Sequence, residues 1–392
     1  MSQATLSADA SSVRRWNERA VIDAMTGEGS LRVAQVAALT GLTTASSRDV
    51  LRSLEAKGWV RAASPEVGGM GRPARTFELC DPPAHTLGVD VGGHSVRAVI
   101  LGPDGESTRL GRAALPAGDR SLAGVLKTIR ALTGDLDPTS IWMSGVALSG
   151  VLDGAGTVTR SVALPYLEGF DAHSAFSGEV PGRVLICHDT KAALWAETEI
   201  GSAVGVRHVM LVHLGRRPSI ALMINGEPYA GQHGTAGDLA LSDLIPAWDL
   251  ADAPAGPESD AVDATLTRAA AGDPDAVDVV RAFFRRITPQ LAFAAALVDP
   301  ELIVLAGALA PVLRGVVGEF EASLGGRLQH VPRVEVSTLD EHSIACGAAL
   351  LARVRMREIL LDDADGVAPL VRSTSWATDP SRGSDGESRG NP

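Results

Sequence analysis

Cysteine is scarce in this chain of 392 residues, which has only Cys80, Cys187 and Cys346. They lie far apart and form no Cys-x-x-Cys pair. That argues against a disulfide framework and against a cysteine-rich zinc site. Neither a metal nor a cofactor is expected. Aromatic residues make up only 4%. No apolar run reaches the roughly 20 residues needed to span a bilayer. The N-terminus lacks the basic-then-apolar pattern of a secretory signal. The expected location is therefore the cytoplasm, with no membrane partner.

What is present fits a globular protein of more than one domain. Hydrophobic residues make up 45%, and at roughly 100–200 residues per domain the length suggests two or three domains. The net charge of −12 is unevenly spread. Residues 11–80 hold ten Lys/Arg against seven Asp/Glu, whereas residues 81–392 hold 25 against 39. A mildly basic head on an acidic body suits an anion-binding surface at the N-terminus.

The first 80 residues read as helix, helix, turn, helix and hairpin. Apolar residues recur at threes and fours from Val13 to Met25 and again from Leu31 to Thr40. Gly41-Leu42 breaks the second helix. Thr43 caps a third, which runs to about Lys57 with Val50, Leu51 and Leu54 facing inward, and Gly58 closes it. Trp59–Arg61 and Arg75–Leu79 read as strands around a Gly-rich tip. This is the layout of a winged helix-turn-helix. The third helix starts with Thr43, Thr44, Ser46, Ser47 and Arg48, small or cationic side chains suited to base edges in a major groove. Arg72 and Arg75 flank the hairpin tip and suit a minor groove. A three-helix unit of this kind can equally serve as a protein–protein module.

After a linker at 81–86 the character changes. LGVDVGGHSVRAVIL, residues 87–101, predicts two strands around a Gly-Gly turn. Strands follow at Ile141–Leu148, Val184–Cys187, Val209–Leu214, Ile220–Ile224 and Leu302–Ala306. Helices are expected at Thr190–Glu199, at Ala276–Val298, and from Ala310 and Ser343. Mixed hairpins and crossovers imply an α/β fold. Residues 362–392, rich in Ser, Gly, Asp and Pro, are expected to be a disordered tail.

The motif series is more specific than any single motif. It comprises Asp90-x-Gly92-Gly93, Gly145–Asp153 with Ser149-Gly150, His188-Asp189, Gly215, Asn225-Gly226, Gly231 with Ala236-Gly237-Asp238, and Asp299–Gly307. The series resembles the ROK family of repressors, open reading frames and sugar kinases. The head segment LRVAQVAALTGLTTASSRDVLRSLEAKGWV, followed by GMGRPA, is similar to the heads of bacterial repressors. The resemblance implies an N-terminal winged helix-turn-helix at 11–80 and a two-lobed, actin-like sugar-kinase domain at 87–360. It also implies a DNA-binding transcription regulator, a repressor above all, with double-stranded operator DNA as its partner. A homodimer or homotetramer is the implied assembly.

Departures from the family pattern imply that kinase chemistry is lost. The family's Glu-Asn-Asp-x-Asn stretch carries its general base at the Asp; here it reads Cys187-His188-Asp189-Thr190-Lys191, so Asp189 is a vestigial base position. The second phosphate motif, glycine-rich in kinases, reads Gly215-Arg216-Arg217-Pro218-Ser219. The sugar-binding Asn is Ala163, and the family's Gly-Glu-x-Gly-His becomes Gly237-Asp238-Leu239-Ala240-Leu241. The cysteine loop that would hold zinc is missing. No catalytic residue is therefore expected. Asp189, Asp238, His188, His233 and Gly150 are the candidates for contacting a sugar or related effector. Each also has an ordinary reading as a turn, core or surface residue. A sugar kinase with an accessory head, and a regulator that senses no small molecule, stay open as alternatives.

Overall fold

The computed structural model describes residues 10–25, 28–57, 59–63, 75–80, 85–115, 120–153, 156–215, 218–239, 245, 260–307, 309–363 and 377–378. The chain forms two compact units, Met1–Ala84 with Ile359–Val367, and His85–Glu358 with Ala368–Pro392.

In the first unit, helices α1 (Ala10–Met25), α2 (Val33–Thr40) and α3 (Thr44–Ala56) precede strands β2 (Val60–Ala63) and β3 (Thr76–Leu79). A two-residue strand, β1 (Leu31–Arg32), pairs with β3, so the sheet order is β1-β3-β2. Leu31 and Arg32 belong to this strand rather than to the second helix. Pairing with the hairpin satisfies their backbone groups before the helix begins. Val21, Ile22, Met25, Val36, Leu51, Leu54, Trp59 and Phe77 build the core. Gly41 ends α2 at φ +72°. Thr43 caps α3 by accepting the Ser46 amide at 3.1 Å. One buried carboxylate ties α1 to α3. Glu18 is 3% exposed, accepts from Ser53 Oγ at 2.5 Å and Lys57 Nζ at 2.8 Å, and faces Arg14 Nε at 3.7 Å. Gly58 and the hairpin tip at 64–74 lie outside the described residues.

The second unit holds two mixed sheets. The first contains β4 (His85–Val91), β5 (Ser95–Leu101), β6 (Ser107–Ala114), β7 (Ile141–Leu148), β10 (Arg183–His188) and β16 (Ala377–Thr378), in the order β16-β10-β7-β4-β5-β6. A small hairpin, β8 (Val151–Leu152) and β9 (Val158–Arg160), stands apart from it. The second sheet contains β11 (Val209–His213), β12 (Ser219–Ile224), β13 (Glu227–Tyr229), β14 (Leu302–Ala306) and β15 (Arg333–Val336), in the order β13-β12-β11-β14-β15. Strands β4, β7 and β10 are parallel, as are β11, β14 and β15. Each sheet also carries antiparallel hairpin strands. Helices α4 (Leu122–Thr133) and α5 (Ala172–Phe176) accompany the first sheet. Helices α7 (Asp260–Ala270), α8 (Pro274–Val298), α9 (Ala310–Leu313) and α10 (Val317–Gly325) accompany the second. The two apolar cores, one built around Leu87, Val89, Val146 and Ile186 and the other around Ile287, Leu291, Ile303 and Leu305, confirm a mixed α/β body of two lobes.

Helices α6 (Asp189–Ile200) and α11 (Ser343–Asp363) complete it. Glycine lets α11 lie flush against its neighbours. A Cβ at Gly88 on β4 would sit 1.8 Å from the Ala345 carbonyl oxygen, and one at Gly145 on β7 2.1 Å from that of Ala348. On α11 itself, a Cβ at Gly347 would sit 1.8 Å from the Ala192 oxygen of α6. Thr86 Oγ1 donates to the Ala349 oxygen at 3.0 Å along the same seam.

The composition predicts a disordered tail from residue 362. The structure carries α11 through Asp363 and pairs Ala377–Thr378 antiparallel with β10. The other tail residues lie outside the described ones.

Candidate effector cleft and nucleic-acid interface

The cleft is built where parallel strands end. In open α/β sheets, ligand sites form beyond the carboxyl ends of such strands. Strand β4 brings Asp90 to this end, β7 leads into Ser149-Gly150, and β10 delivers His188, which pairs across from Leu148. Helix α6 starts at once with Asp189, whose carboxylate accepts the Thr190 amide at 2.6 Å. From the second sheet, β11 ends at His213 and β12 begins at Ser219. Thr190 Oγ1 and Ser219 Oγ lie 2.7 Å apart, so α6 is tied to β12 at its first turn.

Asp238 arrives on a loop folded back over the start of β12. The Gly237 carbonyl accepts the Ile220 amide at 2.8 Å. Its φ is +82°, and an added Cβ would sit 2.1 Å from the Ile220 oxygen, so only glycine fits there. Lys191, 4% exposed, donates to the Gly234 carbonyl of the same loop.

The charges in the cleft are mutually coupled. His188 is 8% exposed. Its Nδ1 lies 3.0 Å from Asp189 Oδ1 and its Nε2 lies 3.7 Å from Asp238 Oδ2. The Nδ1 contact is misaligned, which leaves that nitrogen without a hydrogen bond despite the short distance. Burial pushes the imidazole down, but the Asp189 charge and the contacts to Asp189 and Asp238 outweigh it and hold it at about 9. Burial likewise works against the Asp189 anion, yet His188 and the Thr190 amide bring it down to about 2. His213 and Lys191 are both lowered by burial.

Asp90, 3% exposed, faces Arg97 Nη1 at 3.2 Å. Burial raises its carboxyl to about 7, against the pull of Arg97. Arg97 also reaches Glu341 at 3.2 Å, Arg112 reaches Glu341 at 3.6 Å, and Arg109 reaches Asp340 at 2.5 Å. Arg97 therefore already occupies the carboxylate that a nucleotide-bound metal would need, and burial disfavours its anion. These residues do not fit a metal ion at Asp90. Among the described residues, no group of three His, Cys, Asp or Glu side chains is arranged to hold a metal.

The structure brings together three of the five sequence-derived candidates, His188, Asp189 and Asp238. His233 is exposed, and no described contact joins it to them. Gly150, at φ +136°, is accounted for by packing, because a Cβ would lie 2.7 Å from the Arg160 oxygen and 2.8 Å from Ser161 Cβ. Sequence reading missed Arg97, Lys191 and Thr190. The signal for Arg97 was present: in the hairpin around Gly92-Gly93, it pairs directly across from Asp90. Arg216, Arg217 and Leu241 lie outside the described residues.

In the first unit, Thr43, Thr44 and Arg48 are exposed and Ser46 is partly exposed. Ser47 is a correction. It is 0% exposed and faces the core of the head rather than a groove, because Val50, Leu51 and Leu54 share its side of the helix. Arg75 is exposed, but it pairs with Glu55 and stacks over Phe77 at 4.9 Å. Arg72 lies outside the described residues.

The sequence profile of the ROK family matches residues 86–241 and 253–355. The chain belongs to the ROK family. Comparison with curated protein sequences gave no match. Among solved structures, the ROK chain is similar to a ROK family transcriptional regulator described as a homologue of the E. coli MLC protein. That likeness has 17% identity and a TM-score of 0.66, and covers 89% of this chain and 98% of that one. A ROK family glucokinase from Streptomyces griseus, solved with glucose and AMPPNP, matches with 21% identity and a TM-score of 0.57 over 69% of this chain and 100% of that one. A ROK family protein from Streptococcus pneumoniae TIGR4, solved with sucrose, matches with 19% identity and a TM-score of 0.52 over 70% and 99%. At these identities the likeness is one of fold, and the neighbours include both a regulator and a kinase. Among the described residues, no helix is long and apolar enough to cross a membrane.

Proposed function

We propose that this ROK protein is a cytoplasmic DNA-binding transcription regulator, a repressor, that has given up phosphoryl transfer. The observation that carries the reading is the surface of α3. Its N-terminal half turns Thr43, Thr44 and Arg48 outward while Leu51 and Leu54 anchor its other side. A helix of that design suits a major groove. Arg72 and Arg75 are assigned to a minor groove. A homodimer would match a palindromic operator.

The body supports a non-enzymatic role. Asp189, the base position of the family's kinases, is paired with His188, and Asp90 with Arg97. A base takes the proton of a sugar hydroxyl less readily the lower its own pKa, and His188 holds the Asp189 carboxyl down at about 2. We assign Asp189, Asp238 and His188 to an effector cleft, with domain bounds of 11–80 for the head and 87–360 for the body. An effector acts there by favouring one arrangement of the protein over another.

Selection of bound sequences from a random DNA pool tests the regulator reading. Enrichment of a palindrome supports it. No enrichment at moderate salt, together with sugar-dependent ATP turnover, would establish the second reading, a kinase with an accessory head.

A further inference from the structure

We infer that the paired carboxylates of Asp189 and Asp238 form a cation site that the chain fills with its own His188, so that the cleft accepts a small organic cation rather than a neutral polyol. The inference rests on the cleft assigned above and not on the DNA head.

His188 is more than nine-tenths buried. It sits between two carboxylates without satisfying either well. One contact is 3.0 Å but misaligned, and the other, at 3.7 Å, is longer than a hydrogen bond. The ring lies between two carboxylates at ion-pair distances rather than in aligned hydrogen bonds. Lys191 on α6 donates to the Gly234 carbonyl and its charge also acts on both Asp238 and Asp189. Asp189 also feels His213 from β11, and Asp90 from β4 feels Asp189 in turn.

Consider a ligand that displaces the imidazole. A neutral polyol supplies hydroxyl donors but no charge, so two buried carboxylates are left with the Lys191 ammonium as their main counter-charge, which is costly in a low-dielectric site. A sugar phosphate adds negative charge and fares worse. An amine or imidazolium replaces both the donors and the charge. The ring is thus an internal competitor that sets the charge of what can enter.

The test uses the full-length protein and the substitution His188→Ala. Its melting temperature is followed against imidazole, glucosamine and glucose at matched ionic strength. The expected result is a destabilised variant that imidazole and glucosamine restore saturably and glucose does not. The wild type should respond about tenfold more weakly, because its own side chain competes. Equal restoration by glucose, or no saturable restoration, would overturn the inference. Should His188→Ala not fold, the wild type decides by NMR of its histidine rings. A His188 ring charged at pH 7.5 supports the inference, and a neutral one sinks it. DNA selection on the same samples separates the two readings. Imidazole binding without sequence selection removes the regulator and leaves the cation site, and the converse outcome removes the cation site alone.

Discussion

Both units of this chain bury carboxylates, and they treat them differently. In the head, Glu18 receives a hydroxyl and an ammonium at 2.5 and 2.8 Å, with Arg14 alongside. In the body, Asp189 and Asp238 share one imidazole at 3.0 and 3.7 Å, and Asp90 shares Arg97 with Glu341. A buried charge with its donors saturated acts as a fastener, because nothing is gained by moving it. A buried charge held at long or misaligned distances is poised, because a better partner can replace the one it has.

The sharpest way to break this contrast is Glu18→Ala. Removing it leaves the buried Ser53 hydroxyl without its carboxylate acceptor and takes the carboxylate from the solvent-accessible Lys57, and should cost about 1–3 kcal/mol in urea unfolding, with DNA binding weakened as α3 loosens from α1. Next comes Arg48→Ala, which should weaken operator binding by about 10–100-fold in fluorescence anisotropy and leave unfolding unchanged. Normal binding by this variant at physiological salt would disprove the assignment of α3.

Third is pH. The His188 ring is raised from its ordinary value to about 9 by its carboxylate neighbours. Its contribution is complete below the unfolded-state value of about 6.5 and is lost as pH rises through 9. Asp90, raised to about 7 by burial, acts in the same direction over a lower window. Urea midpoints should therefore fall from neutral pH to pH 9. A flat profile would mean that the ring is not held as a cation. The smallest effect belongs to Asp238→Asn, at about 1 kcal/mol, because its contact to His188 is already long. A loss as large as that of Glu18→Ala would erase the distinction between the two kinds of site.

Much of the architecture was legible because period and punctuation agreed. Ile141–Leu148 and Leu302–Ala306 are short apolar runs with no competing helical pattern, and both are strands over those same residues. The head followed from Gly41, Thr43 and the spacing of Val50, Leu51 and Leu54. Leu31-Arg32 misled, because a two-residue strand has no period of its own and borrows its partner from β3, far along the chain. Ser47 misled because a small polar residue at a helix start looks like a contact until the helical angle is drawn.

In the cleft, His188 and Asp189 are adjacent in sequence, so their pairing was within reach. That Asp238 joins them was suggested only by the motif around Gly237; the contact itself depends on a loop folded over β12. Strand β6 was missed because Ser107–Ala114 is largely polar, being half-exposed on an edge strand; helix α4, with Val125 and Ile129 buried at helical spacing and Ser121 as its cap, carried a readable signal.

The seam along α11 has a consequence of another kind. Its fit is defined by atoms that are not there, at Gly88, Gly145 and Gly347. Three separate elements, β4, β7 and α6, touch one helix backbone to backbone, so there is no side-chain layer to act as a lubricant. Sliding α11 along its axis would drive carbonyl oxygens into neighbouring main chain. Rolling it with the sheet it rests on keeps every contact. Whatever rearranges in this body on binding therefore inherits a permitted direction, and a single methyl group at any of the three positions would remove the surface that enforces it.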